Sequence, residues 1–396
     1  MREDAILVTG DGSIDDAISS ARACGSIGLD TEFMRERTYR ARLCLVQIGT
    51  REGVWLIDPL DDIELKVVAE LISDPEVEIV VHAGKQDFEL FYERYETVPS
   101  NVLDIQLAAG FAGYGASLPY GRLVEALAGV QLNKGESYTD WCSRPLTDAQ
   151  LHYAADDVRY LNRIAERLGR ELLDLGRTSW AREEMRVQFE DEELYRFDPD
   201  KAWRRVSGRG TLKPRHLAVL KELASWREEE ALKRNVPRGW LVKDPTLVEI
   251  ARRGPSSVRQ LKRIRGLNAK EAERSGPAVL AAAAEGREAP EIPQPVMPPK
   301  SAQARARMLS GLADAMVRAR CEHARIATEL VTNRAELETL LAQVVDGSLE
   351  EGRHRLLSGW RRDLAGDAVI ALAQGHIALR AVDGPPYIEE VPMKGE

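Results

Sequence analysis

Four acidic residues and one tyrosine carry the spacing most suggestive of chemistry. Asp30 and Glu32 stand in Gly28-Leu29-Asp30-Thr31-Glu32-Phe33, at the end of a β-rich run. Alternate residues of a strand share a face, so these carboxylates converge. Side by side they repel, and each raises the other's pKa unless a cation lies between them. Asp87 follows in Val80-Val81-His82-Ala83-Gly84-Lys85-Gln86-Asp87-Phe88, where a strand gives way to a glycine turn and a first helical turn. Tyr153 and Asp157, in His152-Tyr153-Ala154-Ala155-Asp156-Asp157, are four apart and share a helical face. Taken singly, each has an ordinary explanation. A strand-end DxE is commonly a solvated turn, an acid in a first helical turn suits the helix dipole, and Tyr153 would serve as a core aromatic. Taken together, four carboxylates, three or more of them beside strand ends and with no lysine between them, demand a cation. Oxygen-only ligands suit Mg²⁺ or Mn²⁺. Two such ions about 4 Å apart can activate a water and stabilise the leaving oxygen of a phosphodiester.

The elements that must position these groups are legible in the first half. Strand-like runs occur at Ala5–Thr9, Ser26–Asp30, Leu43–Ile48, Val54–Ile57 and Val77–His82. Helical periodicity appears at Asp15–Ala23, Leu60–Ser73, Gln86–Tyr95 and Leu118–Ala128. Several strands before the crossover helices predict a mixed sheet. From a cap near Thr147 one long helix is predicted, running towards Leu173. Beyond about Arg196 the chain reads as helices: Leu212–Arg234, Asp244–Arg252, Ser256–Arg263 and Ala269–Glu285. Five prolines between Gly286 and Lys300 mark a stiff linker, and a second helical block follows at 301–380 with a Gly/Pro-rich tail.

The 396 residues carry a net charge of −9, distributed unevenly. Residues 1–190 hold 20 basic and 34 acidic side chains, whereas 204–275 hold 19 basic and 8 acidic. An acidic half joined to a basic helical block is a different object from a uniformly acidic protein. Cys24, Cys44, Cys142 and Cys321 form no CxxC pair, which excludes a zinc signature and reads as neither a disulfide framework nor a secreted scaffold. No apolar run approaches the roughly 18 residues of a membrane span. The start MREDAILVTGDG lacks a signal-peptide pattern, so a cytoplasmic location is expected. Thr9-Gly10-Asp11-Gly12 lacks the third glycine of a dinucleotide fingerprint.

Asp30-x-Glu32, Asp87 within HAGKQD, and Tyr153-x-x-x-Asp157 resemble the three exonuclease motifs of the DEDD superfamily in its tyrosine-bearing branch, and within it the ribonuclease D family. Arg234-Asn235-Val236-Pro237-Arg238, Leu241-x-Lys243-Asp244 and Leu261-x-x-Ile264-x-Gly266-Leu267 are similar to the HRDC domain that accompanies that branch. Leu356-Leu357-x-Gly359-Trp360-Arg361 and Leu379 resemble the family's C-terminal region, so 301–380 looks like a diverged second copy. The resemblance implies a ribonuclease H-like α/β exonuclease domain with a mixed five-stranded sheet (1–190), an all-α HRDC domain (204–286), a linker (287–300) and a second all-α HRDC-like module (301–385).

By the same resemblance, Asp30, Glu32, Asp87 and Asp157 hold two divalent ions, Mg²⁺ or Mn²⁺, and Tyr153 orients the attacking water or contacts the scissile phosphate. His82 and Gln86 line the substrate pocket, and Asp104 is a supporting rather than ligating aspartate. The implied activity is a 3′–5′ exoribonuclease that releases nucleoside 5′-monophosphates, trimming tRNA precursors. A monomer without a membrane or an obligate protein partner is expected. His152 also satisfies the HxAxxD spacing of the histidine branch. On an ideal helix His152 lies about 140° from Asp157 and Tyr153 about 40°, and the HRDC signature favours tyrosine, yet the helical wheel alone leaves both open. Two rival readings share part of this pattern. A DNA 3′–5′ exonuclease shares the carboxylates but comes with polymerase or helicase motifs absent here. A non-catalytic RNA-binding scaffold would have lost a carboxylate, and all four are present.

Overall fold

The computed structural model describes residues 5–10, 14–132, 139–294 and 297–393. The chain divides into two compact units. The first comprises Met1–Glu32, Leu45–Leu194 and Met297–Glu396, and the second Phe33–Cys44 and Tyr195–Val296.

The first unit is built on a sheet. Strand β1 (Ile6–Val8) and helix α1 (Ile14–Cys24) precede β2 (Ser26–Met34), β3 (Arg42–Gly49) and β4 (Val54–Ile57). Then α2 (Lys66–Ile72), β5 (Glu78–Val81), α3 (Lys85–Tyr95), β6 (Val102–Asp104) and α4 (Ile105–Phe111) alternate. The strand order is β1-β4-β3-β2-β5-β6. β3 and β4 are antiparallel, while β2–β5, β5–β6 and β1–β4 are parallel. The sheet is mixed, as the early run of strands predicts. It has six strands rather than five: β6 spans three residues, too few for periodicity to register, and is specified by its parallel pairing with β5. The inner strands are buried on both faces, so β4 is buried throughout and β3 from Cys44 onward. This is why they read as continuous apolar runs rather than alternating ones.

Helices α5 (Tyr120–Leu123), α6 (Asp148–Arg159), α7 (Leu161–Asp174) and α8 (Thr178–Phe189) follow the sheet. Thr147 caps α6 in a reciprocal box with Gln150, which removes two orphan amides from the helix start. The single helix predicted from Thr147 towards Leu173 is broken at Tyr160, where φ is −105° and ψ −7°. Of the cysteines, Cys24 and Cys321 are free thiols, whereas Cys44 and Cys142 are disulfide-bonded. The absence of a CxxC pair thus did not exclude a disulfide, because sequence separation says nothing about distance in the fold.

The second unit holds α9 (Pro214–Arg234), α10 (Arg238–Leu241), α11 (Asp244–Arg253), α12 (Val258–Leu261) and α13 (Ala269–Glu288). Proline at the first turn of α9 and left-handed Asn235 after its last turn fix both ends. Its core gathers Leu220, Leu223, Leu247, Ile250, Leu261 and Ala283. Ile292, in the proline-rich segment, packs on the same core.

The C-terminal block belongs to the first unit. It holds α14 (Lys300–Ala324), α15 (Thr328–Val331), α16 (Arg334–Asp346), α17 (Gly359–Arg361) and α18 (Asp367–Gln374). It is not all-α: β7 (Ile377–Ala381) and β8 (Ile388–Pro392) pair antiparallel where the sequence suggested a loose tail. Only five residues make each strand, and the Gly/Pro-rich stretch is their connection. The block is fastened to α8 by polar and aromatic contacts. Trp180 stacks on Trp360 at 5.4 Å between ring centroids, and Phe111 meets Trp360 edge-on at 5.0 Å. Arg361 donates to Glu184 at 2.6 Å, with both side chains 7% exposed, and its guanidinium lies over Trp360. The Ala327 amide donates to the Gly110 carbonyl at 2.9 Å. Removing one partner of a buried ion pair costs roughly 3–5 kcal/mol because the other charge stays behind. Arg361→Met is therefore expected to lower unfolding free energy by that amount. Adding Glu184→Met should recover most of it, as a denaturant-melt double-mutant cycle would reveal.

Candidate active site

Asp30 and Glu32 project from one face of β2, the strand lying between β3 and β5. Thr31 between them points the other way and donates its hydroxyl to the buried Asp87 carboxylate, from the first turn of α3. Asp157 sits near the C-terminus of α6. One carboxylate oxygen from each of Asp30, Glu32 and Asp157 falls within 4.8 Å of the others. Asp87 stands outside that trio, although its charge reaches Asp30 and Glu32. Tyr153 donates a hydrogen bond to Asp157 and its ring lies 5.9 Å from that of Trp141. His152 is exposed, with Nδ1 2.6 Å from the Asp148 carbonyl.

The other sequence candidates separate. His82 places Nε2 3.0 Å from the Leu118 carbonyl, which can only accept, so that nitrogen is the donor. Gln86 is exposed on the first turn of α3. Asp104 caps α4, accepting from the amides of Gln106 and Leu107 at 2.8 and 3.3 Å. Three residues the sequence reading passed over also shape the site. A Cβ on Gly49 would lie 2.7 Å from the Val158 carbonyl, and one on Gly28 3.0 Å from the same oxygen. These glycines let the end of α6 settle on β2 and β3. A glycine within a strand often marks close backbone approach, so that signal was available. The third, Tyr120, donates to the Asp156 carbonyl at 3.0 Å, and nothing in its sequence context announces it.

Burial dominates the electrostatics. It pushes Asp30 well above the carboxylate range, with Asp87, Asp157 and Glu32 adding repulsion. Burial and then the charges of Asp157 and Asp87 raise Glu32 to about 8. Burial carries Asp87 to about 7 against the Thr31 hydrogen bond. It carries Asp157 to about 7, with Asp156 adding to the rise and Tyr153 opposing it. Such a constellation resists ionisation until positive charge enters it. Its all-oxygen donor set fits a hard divalent cation.

The chain matches a 3′–5′ exonuclease family model over residues 6–173 and an HRDC domain model over 216–282. It is 39% identical to ribonuclease D of Granulibacter bethesdensis across 90% of this chain and 89% of that protein. The chain belongs to the ribonuclease D family. Ribonuclease D of Gluconacetobacter diazotrophicus is 36% identical over 96% of this chain and 95% of its own length. The crystal structure of Escherichia coli RNase D, described as an exoribonuclease involved in structured RNA processing, superimposes with a TM-score of 0.82. That match is 31% identical and covers 94% of this chain and all of that one. As a member of that family, the chain is a metal-dependent 3′–5′ exoribonuclease, and the carboxylate trio is its candidate metal site.

The raised pKa values make stability depend on pH. These carboxyls titrate near 4 in an unfolded chain. Because their folded values are higher, their contribution is complete below about pH 4 and is lost as pH rises through 7 to 8. A bound cation favours the ionised form and reverses the loss. Mg²⁺ or Mn²⁺ should therefore raise the melting temperature more at about pH 8.5 than at about pH 6. Equal shifts at both values in scanning fluorimetry would contradict this account of the site.

Proposed function

We propose that Asp30, Glu32, Asp87 and Asp157 together hold two divalent ions, Mg²⁺ or Mn²⁺, some directly and some through water. The observation that carries this reading is the half-buried trio of Asp30, Glu32 and Asp157, whose oxygens lie within 4.8 Å of one another. When bound, such ions supply an activated water and charge for the leaving oxygen. Tyr153, already donating to Asp157, is placed to orient that water or the scissile phosphate. His82 and Gln86 flank the terminal nucleotide, His82 through the face its Leu118 bond leaves free. Hydrolysis releases nucleoside 5′-monophosphates from the 3′ end with no covalent intermediate.

Binding a polyanion to an acidic domain needs help, and the HRDC unit is suited to give it. Not all of its cations are free. Arg227, 2% exposed, holds the Val242 carbonyl and Asp244, and Arg234 holds Glu230 and Glu271. Lys243, Arg259, Arg263, Arg265 and Lys270 are exposed and suit phosphate contacts that position rather than specify. The C-terminal block reads as a diverged second HRDC-like module. Its long helix ends on left-handed Arg325 as α9 ends on Asn235, and a four-residue helix follows in both. The next helix then closes on left-handed Gly347 as α11 does on Gly254.

The substrate we propose is a tRNA precursor with a 3′ extension, a reading supported by the structured-RNA role of the Escherichia coli relative. We propose a monomer with no obligate protein partner. No helix among the described residues is long and apolar enough to cross a membrane. A cytoplasmic location rests on the substrate alone, since a disulfide is more usual outside reducing compartments.

The decisive test is an electrophoretic time course on a 3′-extended tRNA precursor and a matched DNA, with Mg²⁺, Mn²⁺ or EDTA. Stepwise shortening of the RNA is expected, abolished by EDTA. Asp30→Asn should slow it by more than the 10- to 100-fold typical of groups that merely support ligands. Binding of the RNA without shortening in either metal would refute the assignment.

A further inference from the structure

We infer that the Tyr120 hydroxyl is a positioning group for Asp157: it captures the Asp156 carbonyl and thereby sets the helix break that turns Asp157 towards Asp30 and Glu32. The inference rests on the metal-site reading above.

In an unbroken helix the Asp156 carbonyl would accept from the amide four residues on, that of Tyr160. Here that carbonyl accepts from Tyr120 Oη at 3.0 Å, while the Tyr160 amide donates to the Tyr120 oxygen and, within the backbone, to the Val158 carbonyl. A side chain inserted into the helical ladder is a recognised cause of a kink. α6 ends at Arg159 and α7 begins at Leu161, so the break at Tyr160 falls one helical turn beyond the diverted Asp156 carbonyl and its neighbour Asp157. The Val158 carbonyl meets the sheet over Gly28 and Gly49, where a Cβ at Gly49 would collide with it and one at Gly28 would press tightly on it. The break is thus held from two sides, by a hydroxyl and by a glycine-lined seat.

Tyr120 is itself held in place. Its ring lies 5.6 Å from that of His82, and His82 Nε2 bonds the carbonyl of Leu118, two residues before Tyr120. Gln106 Nε2 lies 3.5 Å from the same carbonyl. Residues beside the ends of β5 and β6 therefore fix the tyrosine that fixes the end of α6. The hydroxyl is close enough to the cluster that the charges of Asp157 and Asp30 act on it. A tyrosine that merely filled the core would affect stability when altered but not affinity for a cation.

Tyr120→Phe keeps the ring and removes only the hydroxyl. Tyr114→Phe, which removes a hydroxyl that bonds Glu171 on α7, is the control. Mn²⁺ binding by the full chain, followed by the EPR signal of free Mn²⁺, should weaken roughly tenfold or more in Tyr120→Phe and not in the control. The turnover number on RNA should fall at limiting Mn²⁺ and recover in excess Mn²⁺, with KM for RNA and Tm close to those of the parent. Parental Mn²⁺ affinity, or a lost rate that excess Mn²⁺ does not restore, would overturn the inference. If Tyr120→Phe fails to fold, Gly49→Ala displaces the same helix break by another route and carries the same test. A parent chain that binds no Mn²⁺ and leaves RNA intact would sink the metal-site reading itself, an outcome distinct from an unaffected Tyr120→Phe.

Discussion

Everything in the catalytic half is arranged around an unfavourable fact: several carboxylates share one poorly solvated space. The leading electrostatic partners of Asp30 and Glu32 are all carboxylates. Repulsion of this kind would open a loose site, so the groups must be carried on elements that cannot move apart. Asp30 and Glu32 lie on a strand with neighbours on both sides. Asp87 begins a helix and is steadied by Thr31 from the same strand. Asp157 closes a helix that begins with a full capping box. The cation that relieves the repulsion then enters a site whose shape is already set, which is the condition for electrostatic preorganisation.

The same constraint explains why charge is divided along the chain. A catalytic domain rich in carboxylates attracts metal but repels RNA, and compensating lysines beside the site would compete with the metal for the carboxylates. Positive charge instead resides in a separate helical unit. There the buried Arg227 holds the fold, whereas Lys243, Arg259, Arg263, Arg265 and Lys270 face solvent. In such a unit the position of a basic residue decides its use. Arg227 and Lys243 contribute equally to net charge, yet only Lys243 faces solvent.

The sequence disclosed the parts of the site that follow from local rules. Alternation placed Asp30 and Glu32 on one face, the four-residue spacing placed Tyr153 beside Asp157, and the strand-turn-helix pattern placed Asp87 next to the strand that carries Asp30 and Glu32. What it withheld was determined at a distance. β6 is too short to carry a periodic signal and exists through its pairing with β5. The break between α6 and α7 is caused by Tyr120, 36 residues upstream of the carbonyl it captures. The helical pattern through Tyr160 is locally sound, and a tertiary hydrogen bond overrides it. The attachment of the C-terminal block depends on Glu184 and Arg361, 177 residues apart. Neither residue is distinctive on its own helix.

The overlap of two motifs on one helix shows how geometry separates what spacing cannot. His152 and Tyr153 both precede Asp157 at distances used by nucleases of this kind, and neither spacing is wrong as a pattern. Their surroundings differ in kind. The His152 imidazole is exposed and bonds back to the Asp148 carbonyl one turn earlier, an interaction within its own helix that leads away from Asp157. Tyr153 is half-buried, leans on Trp141 and donates to the carboxylate itself. A group that assists hydrolysis beside a metal site must be within hydrogen-bond reach of the reacting centre. A histidine in that role would have to leave the Asp148 carbonyl and swing round the helix, whereas the phenol is already at the edge of the cluster. The helical face, rather than the presence of a titratable ring, is the ground on which we propose the tyrosine for that role.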